Sequence, residues 1–356
     1  MGKFYPLVLA LFCGVFPGRA QSIHFDRLDI NDGLSQNTVT SIIQDDKGFM
    51  WFGTKDGLCR YDGKSFKTFM HDPRLTTGLG NSLIKCLVED HDRRIWVGTD
   101  SGLYIYDPEM EHFSAVPLYA DDGKPVTKPV PILDCDREGR VWIVVENNDV
   151  FCYDPQTRQV ECRYKPRKTL RSLASDKNGV IWFAGYGGGL YYTEDRFANV
   201  KPFLDADGRE IYPKDIISCI CLSDYNEMYL GLEEQGVAKL DLVTGTVTRL
   251  QLSDNPAAPL FVRHILQYSP DELWIGTESG IVVYNIRTRR YQHLKSSPYD
   301  PYSLSDNAVY SLCKDREGGL WIGSFFGGIN YLPQRNSDFE KYYHTDDPHS
   351  LRGRRV

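Results

Sequence analysis

The chain has little of what a nucleic-acid binder, a helical bundle or a histidine-based enzyme needs. Its 41 Lys and Arg are outnumbered by 48 Asp and Glu, a formal net charge of −7. Binding a phosphate backbone draws on counterion release by surplus basic side chains, so nucleic acid is excluded as the main partner. Only 5 Met stand against 22 Tyr and 17 Phe, and 31 Gly with 19 Pro favour pleated strands joined by tight turns over packed helices. Histidine is scarce at 8 residues, and the 9 cysteines show neither zinc-site spacing nor that of small disulfide-stapled scaffolds. No apolar run after residue 20 reaches the about 20 residues that cross a bilayer as a helix. The remainder, 41% hydrophobic and 25% charged, is the mixture of a folded protein rather than a disordered one.

The first twenty residues read as a signal peptide. Lys3 supplies a positive start, residues 7–16 an apolar segment, and Gly18-Arg19-Ala20 a small-residue cleavage site. Leu11-Phe12-Cys13 lacks the small residue that a lipoprotein signal places before its cysteine. Cleavage after Ala20 leaves 39 basic against 48 acidic residues, a net −9, in an exported protein. The new compartment permits disulfides. Cys152 and Cys162 flank a hairpin and are the pair to consider, under the restrictive geometry of cross-strand bridges; most other cysteines are expected as buried thiols.

An internal repeat carries the fold. Trp51, Trp96, Trp142, Trp182, Trp274 and Trp321 recur in similar surroundings, Phe49-Met50-Trp51-Phe52-Gly53-Thr54 being the pattern, and Tyr229 fills the remaining place. The spacings run from 40 to 47 residues, the period of four-stranded propeller blades. An Asp-x-x-Gly turn precedes the anchor at Asp45, Asp136, Asp176 and Asp315, and a glycine-containing corner follows it. The expected architecture is an all-β, seven-bladed β-propeller of four-stranded antiparallel blades over residues 21–335.

Outer strands number one more than seven. Segments 25–28, 66–69, 113–116, 160–163, 197–203, 247–250, 291–294 and 339–342 all qualify. The economical solution pairs 25–28 with the Trp321 blade, which closes the ring and removes two sheet edges. Residues 336–356 then read as the start of a further repeat or second propeller, poorly ordered by themselves, because Ser350-Leu351 repeats the spacing of Ser303-Leu304.

Asp32-Gly33-Leu34-Ser35-Gln36-Asn37, then Asp45-Asp46-Lys47-Gly48-Phe49-Met50-Trp51-Phe52-Gly53-Thr54 and Tyr61-Asp62-Gly63, closely resemble the opening of two-component regulator propellers. The resemblance implies the exported sensor half of a hybrid two-component system in a glycan-degrading bacterium. There, two seven-bladed rings and a small β-sandwich precede a membrane helix and a histidine kinase. It implies periplasmic detection of an oligosaccharide, a second propeller or second copy as partner, membrane attachment only through a downstream segment, and no cofactor.

In such a wheel the strand 4 to 1 and strand 2 to 3 connections share the face around the channel mouth. Eleven residues before each anchor stand Thr40, Lys85, Pro131, Arg171, Ser218, Arg263 and Tyr310. Lys85, Arg171 and Arg263 form either a positive funnel for an anionic sugar or ion pairs with neighbouring acidic loops. Tyr186, Phe325 and Phe326 lie in strand 2 to 3 corners, where exposed rings stack on a pyranose or else cover the channel. Glu146-Asn147-Asn148 and Glu233-Glu234-Gln235 are weaker candidates for hydrogen bonds to sugar hydroxyls. His264, alone among the histidines on an inner strand, shares a column with Ser41, Cys86, Ile132, Ser172, Cys219 and Ser311 and reads as a satisfied interior residue. No catalytic or metal constellation emerges. The alternatives are a propeller-type lyase and a protein-protein scaffold.

Overall fold

The computed structural model describes residues 23–334, apart from residues 76, 121, 147, 148, 256 and 257. The expected signal peptide of residues 1–20 and the expected further repeat of residues 336–356 lie outside the described residues. The described chain forms seven antiparallel four-stranded sheets, each in simple order from inner to outer strand. The first blade comprises Val39–Gln44, Met50–Thr54, Gly57–Tyr61 and Phe66–Phe69. Blades two to seven carry the remaining anchors in chain order, and neighbouring inner strands touch all the way round the ring.

The Asp-x-x-Gly turn explains why the anchor is tryptophan. In the first blade Asp45 accepts the Phe49 backbone N–H on Oδ1 at 2.9 Å and the Trp51 indole N–H on Oδ2 at 2.8 Å. The same bond joins Asp90 to Trp96, Asp136 to Trp142, Asp176 to Trp182 and Asp315 to Trp321 at 2.7–3.1 Å. A buried indole needs a partner for its N–H, and a buried carboxylate needs donors, so each satisfies the other. In blades five and six the acceptor comes from the anchor strand: Glu227 receives the Tyr229 hydroxyl at 3.1 Å and Glu272 the Trp274 indole at 2.6 Å. Blade two lacks the turn glycine, and Arg93 takes the left-handed φ of 64° instead.

The core is not one mass but seven seams. Each anchor ring packs with the next blade: Trp51 with Ile84 and Val97, Trp96 with Val141 and Ile143, and so on to Trp321 with Val39 and Phe52. Burial of both faces of every blade explains the continuous apolar character of the Trp strands.

The eighth outer strand closes the wheel. Asp26–Leu28 pairs antiparallel with Ile329–Leu332, Arg27 facing Asn330. Phe25 is 2% exposed in the seam between blades six and seven, and Arg27 donates to the Ser303 carbonyl at 2.7 Å.

Two expectations change. The outer strand of blade four is only Lys201–Pro202 rather than residues 197–203, because Phe197 turns with φ 70° and buries its ring against Trp142, Tyr164 and Phe183. Cys152 and Cys162 form no disulfide. The hairpin register sets Phe151 opposite Cys162, so the two thiols occupy opposite faces of the sheet. Cys152 lies in the seam with blade four and Cys162 in the seam with blade two.

Candidate functional site

The strand register puts the start of each inner strand, the strand 2 to 3 corner and the 4 to 1 connection on one face: in blade one, Val39 opposes Thr54, Thr54 opposes Gly57, and Leu58 opposes Phe69. The polar column lies at its inner edge. In six blades the ladder skips one residue there, and the skipped residues are Thr40, Lys85, Arg171, Ser218, Arg263 and Tyr310. Each therefore sits on a β-bulge, a device that re-aims a side chain. The inner ladder of blade three has no such bulge, because Pro131 precedes its inner strand Ile132–Cys135.

Column and corner are coupled across a constant separation. Lys85 pairs with Asp100 at 3.0 Å, Arg263 with Glu278 through a 2.5 Å hydrogen bond, Arg171 lies 5.0 Å over the Tyr186 ring, and Tyr310 meets Phe325 at 5.1 Å between centroids. Each partner lies fifteen residues on, as for Arg263 and Glu278. That offset, between two rows read separately in the sequence, is the signal that finds the pairs.

The structure gathers Arg263, Tyr310, Phe325 and Phe326 into one assembly. Glu278 Oε1 accepts from Arg263 and, at 3.1 Å, from the Tyr310 hydroxyl. The Arg263 guanidinium stands 5.3 Å from the Tyr310 ring, Phe325 and Phe326 meet edge to face at 4.6 Å, and Lys55 Nζ lies 4.0 Å over Phe325. Phe326 is 71% exposed. Lys55 and Glu278 belong to this assembly although the sequence reading did not single them out. Lys85 stands apart with Asp100. Gln235 is tied to Asp215 at 2.6 Å and Glu234 takes a φ of 66°.

A groove of about 580 Å³ opens between blades three and four, lined by residues 164–170 and by the corner 183–191. Arg171 and Tyr186 flank it, and Lys165, Arg167 and Lys168 stand on its rim. These last three form a basic run that charge patterning reveals: no Asp or Glu occurs between Glu161 and Asp176.

Serine and threonine close the corners of four blades, Thr54, Thr99, Thr277 and Ser324 each donating to a glycine carbonyl at 2.8–2.9 Å. Three of these blades match the two component regulator propeller family, over residues 33–56, 78–101 and 303–326. These three stretches are similar to two-component regulator propeller repeats. A curated relative, histidine kinase P4 of Formosa agariphila, is 30% identical over 201 residues, which is 55% of this chain and 14% of that protein. Among solved structures, the extracellular domain of a hybrid two component system from B. thetaiotaomicron superimposes with a TM-score of 0.76 at 23% identity, over 90% of this chain and 43% of that one. Virginiamycin B lyase from Staphylococcus aureus shares the fold with a TM-score of 0.67 at 11% identity, over 88% of this chain and 100% of that one. The chain thus spans less than half of the hybrid-system domain it resembles.

His264 is engaged within the wheel. Its Nδ1 accepts the Leu312 backbone N–H of the next blade at 3.2 Å, the role that Ser172 Oγ plays for Ile220 at 3.0 Å. Desolvation pushes the imidazole down from 6.5 to about 4. The unfolded chain therefore binds a proton between those values that the folded chain does not, so stability present above pH 6.5 is lost as pH falls toward 4. The loss is up to about 3 kcal/mol for this one group. His264→Ser, which retains an acceptor, is expected to flatten the decline by about 1–3 kcal/mol between pH 6.5 and 4 in urea titrations. Parallel curves for the two proteins would contradict this.

Proposed function

We propose that the chain is the exported, non-catalytic sensing part of a hybrid two-component regulator and reads an oligosaccharide with its corner-bearing face. The observation that carries this reading is the assembly of exposed Phe326, Phe325 and Tyr310 with Lys55, Arg263 and Glu278. Saccharides offer an apolar C–H face and a rim of hydroxyls, and flat rings beside fixed donors and acceptors match both. The relationship to histidine kinase P4 and to extracellular domains of hybrid systems supports export and a signalling role.

A screen of plant and host oligosaccharides by thermal shift tests this. A ligand at 100 times its dissociation constant adds about 2.7 kcal/mol of stability. Phe326→Ala is expected to abolish that shift while leaving the unliganded melting temperature unchanged, since its ring is largely in solvent. Absence of any saccharide shift would contradict the reading. A second reading, a lyase, draws on the fold shared with virginiamycin B lyase. General acid-base chemistry requires a titratable group with access to substrate, whereas His264 already spends Nδ1 on Leu312. Turnover of the bound glycan by the purified chain would favour that reading.

A further inference from the structure

The groove between blades three and four has a charge pattern that its neighbours lack. We propose that it is an anion subsite, which holds a carboxylate or sulfate group of an acidic saccharide. The inference rests on the saccharide-reading proposal and specifies the class of sugar.

Three observations converge. First, three cations of the groove, Arg167, Lys168 and Arg171, lack the carboxylate partner that Lys85 and Arg263 have: among the described residues none lies within ion-pairing distance of them. In a chain with 48 acidic residues this is not for want of acids. Arg171 is instead held over Tyr186 and Lys168 donates to the Gly187 carbonyl, so both are positioned by contacts that leave their charge uncompensated.

Second, the groove is built by a local departure from the repeat. Where blades one, two, six and seven close their corner with Thr or Ser, blade four has Gly185, and a Cβ there would stand 2.0 Å from the Thr169 carbonyl oxygen. Only glycine allows this corner to rest directly on the connection that carries Arg167 and Lys168. Gly187 and Gly189, with φ of 52° and 81°, continue the corner and leave the rim without side chains. The segment matches none of the three stretches of family likeness.

Third, the floor is aromatic. Tyr164 meets Phe183 at 5.7 Å, and Phe183 stacks with Tyr191 at 5.8 Å. A sugar ring on this floor places an exocyclic acid group at the rim, where a guanidinium fork matches carboxylate and sulfate oxygens in pairs. A concave wall of low polarizability strengthens each such contact over its value in open water.

Calorimetry with the whole chain decides. The probes are an oligogalacturonide, its methyl ester, which keeps the backbone and removes the charge, and a chondroitin sulfate oligosaccharide. At least one acidic probe is expected to bind ten-fold or more tightly than the neutral ester, with affinity falling as salt rises. Arg167→Gln with Arg171→Gln removes that preference without lowering the melting temperature, and the better acidic probe tells carboxylate from sulfate. Equal binding of acidic and neutral forms, or a preference that survives the double variant, overturns the inference while leaving saccharide sensing in place. If no saccharide binds, the sensing reading fails, and inorganic sulfate then judges the groove: millimolar binding lost in the double variant sustains the anion subsite, and its absence overturns it.

Discussion

Asp136→Ala is expected to destabilise the protein by about 3–5 kcal/mol, the loss that accompanies removal of one member of a buried ion pair. The carboxylate is 2% exposed. Its Oδ2 receives the Trp142 indole N–H at 2.9 Å and Arg140 Nε at 2.7 Å, and its Oδ1 receives the backbone N–H groups of Glu138 and Arg140, each at 3.0 Å. Alanine strands all four donors, two of them on groups sealed from water. Glu138 still binds Arg140 at 2.7 Å but cannot replace the acceptor beneath the indole. Asparagine does not repair the damage, since turning its amide toward the turn leaves an N–H₂ group facing two other donors. Asp176 makes a useful contrast. Its turn carries Val180 where blade three has Arg140, so Asp176→Ala forfeits hydrogen bonds without orphaning a cation and is expected to cost about 1–3 kcal/mol. Urea unfolding of the two variants measures both; equal losses would show that the ion pair adds nothing.

The second large effect concerns the seal. A chain beginning at Asp29 loses the strand Asp26–Leu28, the 2%-exposed ring of Phe25 and the Arg27 hydrogen bonds to Ser303 and Leu304. It also uncovers the edge of Ile329–Leu332, an invitation to intermolecular pairing. We expect such a chain to lose cooperative unfolding and to aggregate. The milder Phe25→Ala is expected to remain folded but to lose about 3–5 kcal/mol, the usual cost of emptying a buried phenylalanine site. The seal also positions the reading face. Thr38, ten residues after the closing strand Asp26–Leu28, donates its hydroxyl to the Phe325 carbonyl, and Gly328 N–H donates to the Asn37 carbonyl. Thermal scans with light scattering separate the two outcomes, and a cooperative, soluble truncated chain would contradict the role assigned to the strand.

The wheel was legible in the sequence because its determinants are local and repeated. An indole and a carboxylate six residues apart meet in one turn, as Asp45 and Trp51 do, so the spacing and the residue types survive even where the rest of a blade diverges. The surplus strand at residues 25–28 followed from counting. Blade four escaped because Phe197 is aromatic like a strand residue, yet is drawn out of the outer ladder into the seam with Trp142. Register slips have no residue signature, so the bulges under Lys85, Arg171 and Arg263 were invisible. With them went the fact that Lys85, Arg171, Arg263 and Tyr310 reach the corners of their own blades. The aromatic members Tyr186, Phe325 and Phe326 stood out by contrast with polar corners. The basic run at residues 165–168 lay on a connection, outside the aligned columns, and only the structure sets it beside Tyr186.

The closed wheel is the claim on which the site depends, since every corner owes its place to the neighbour on either side. Native-state hydrogen exchange at the laddered amides of Asp26–Leu28 and Ile329–Leu332 measures it directly. Closure predicts exchange as slow as that of the Trp anchor strands and governed by global unfolding. Exchange at the rate of an unstructured peptide, with the anchor strands still protected, would show an open ring.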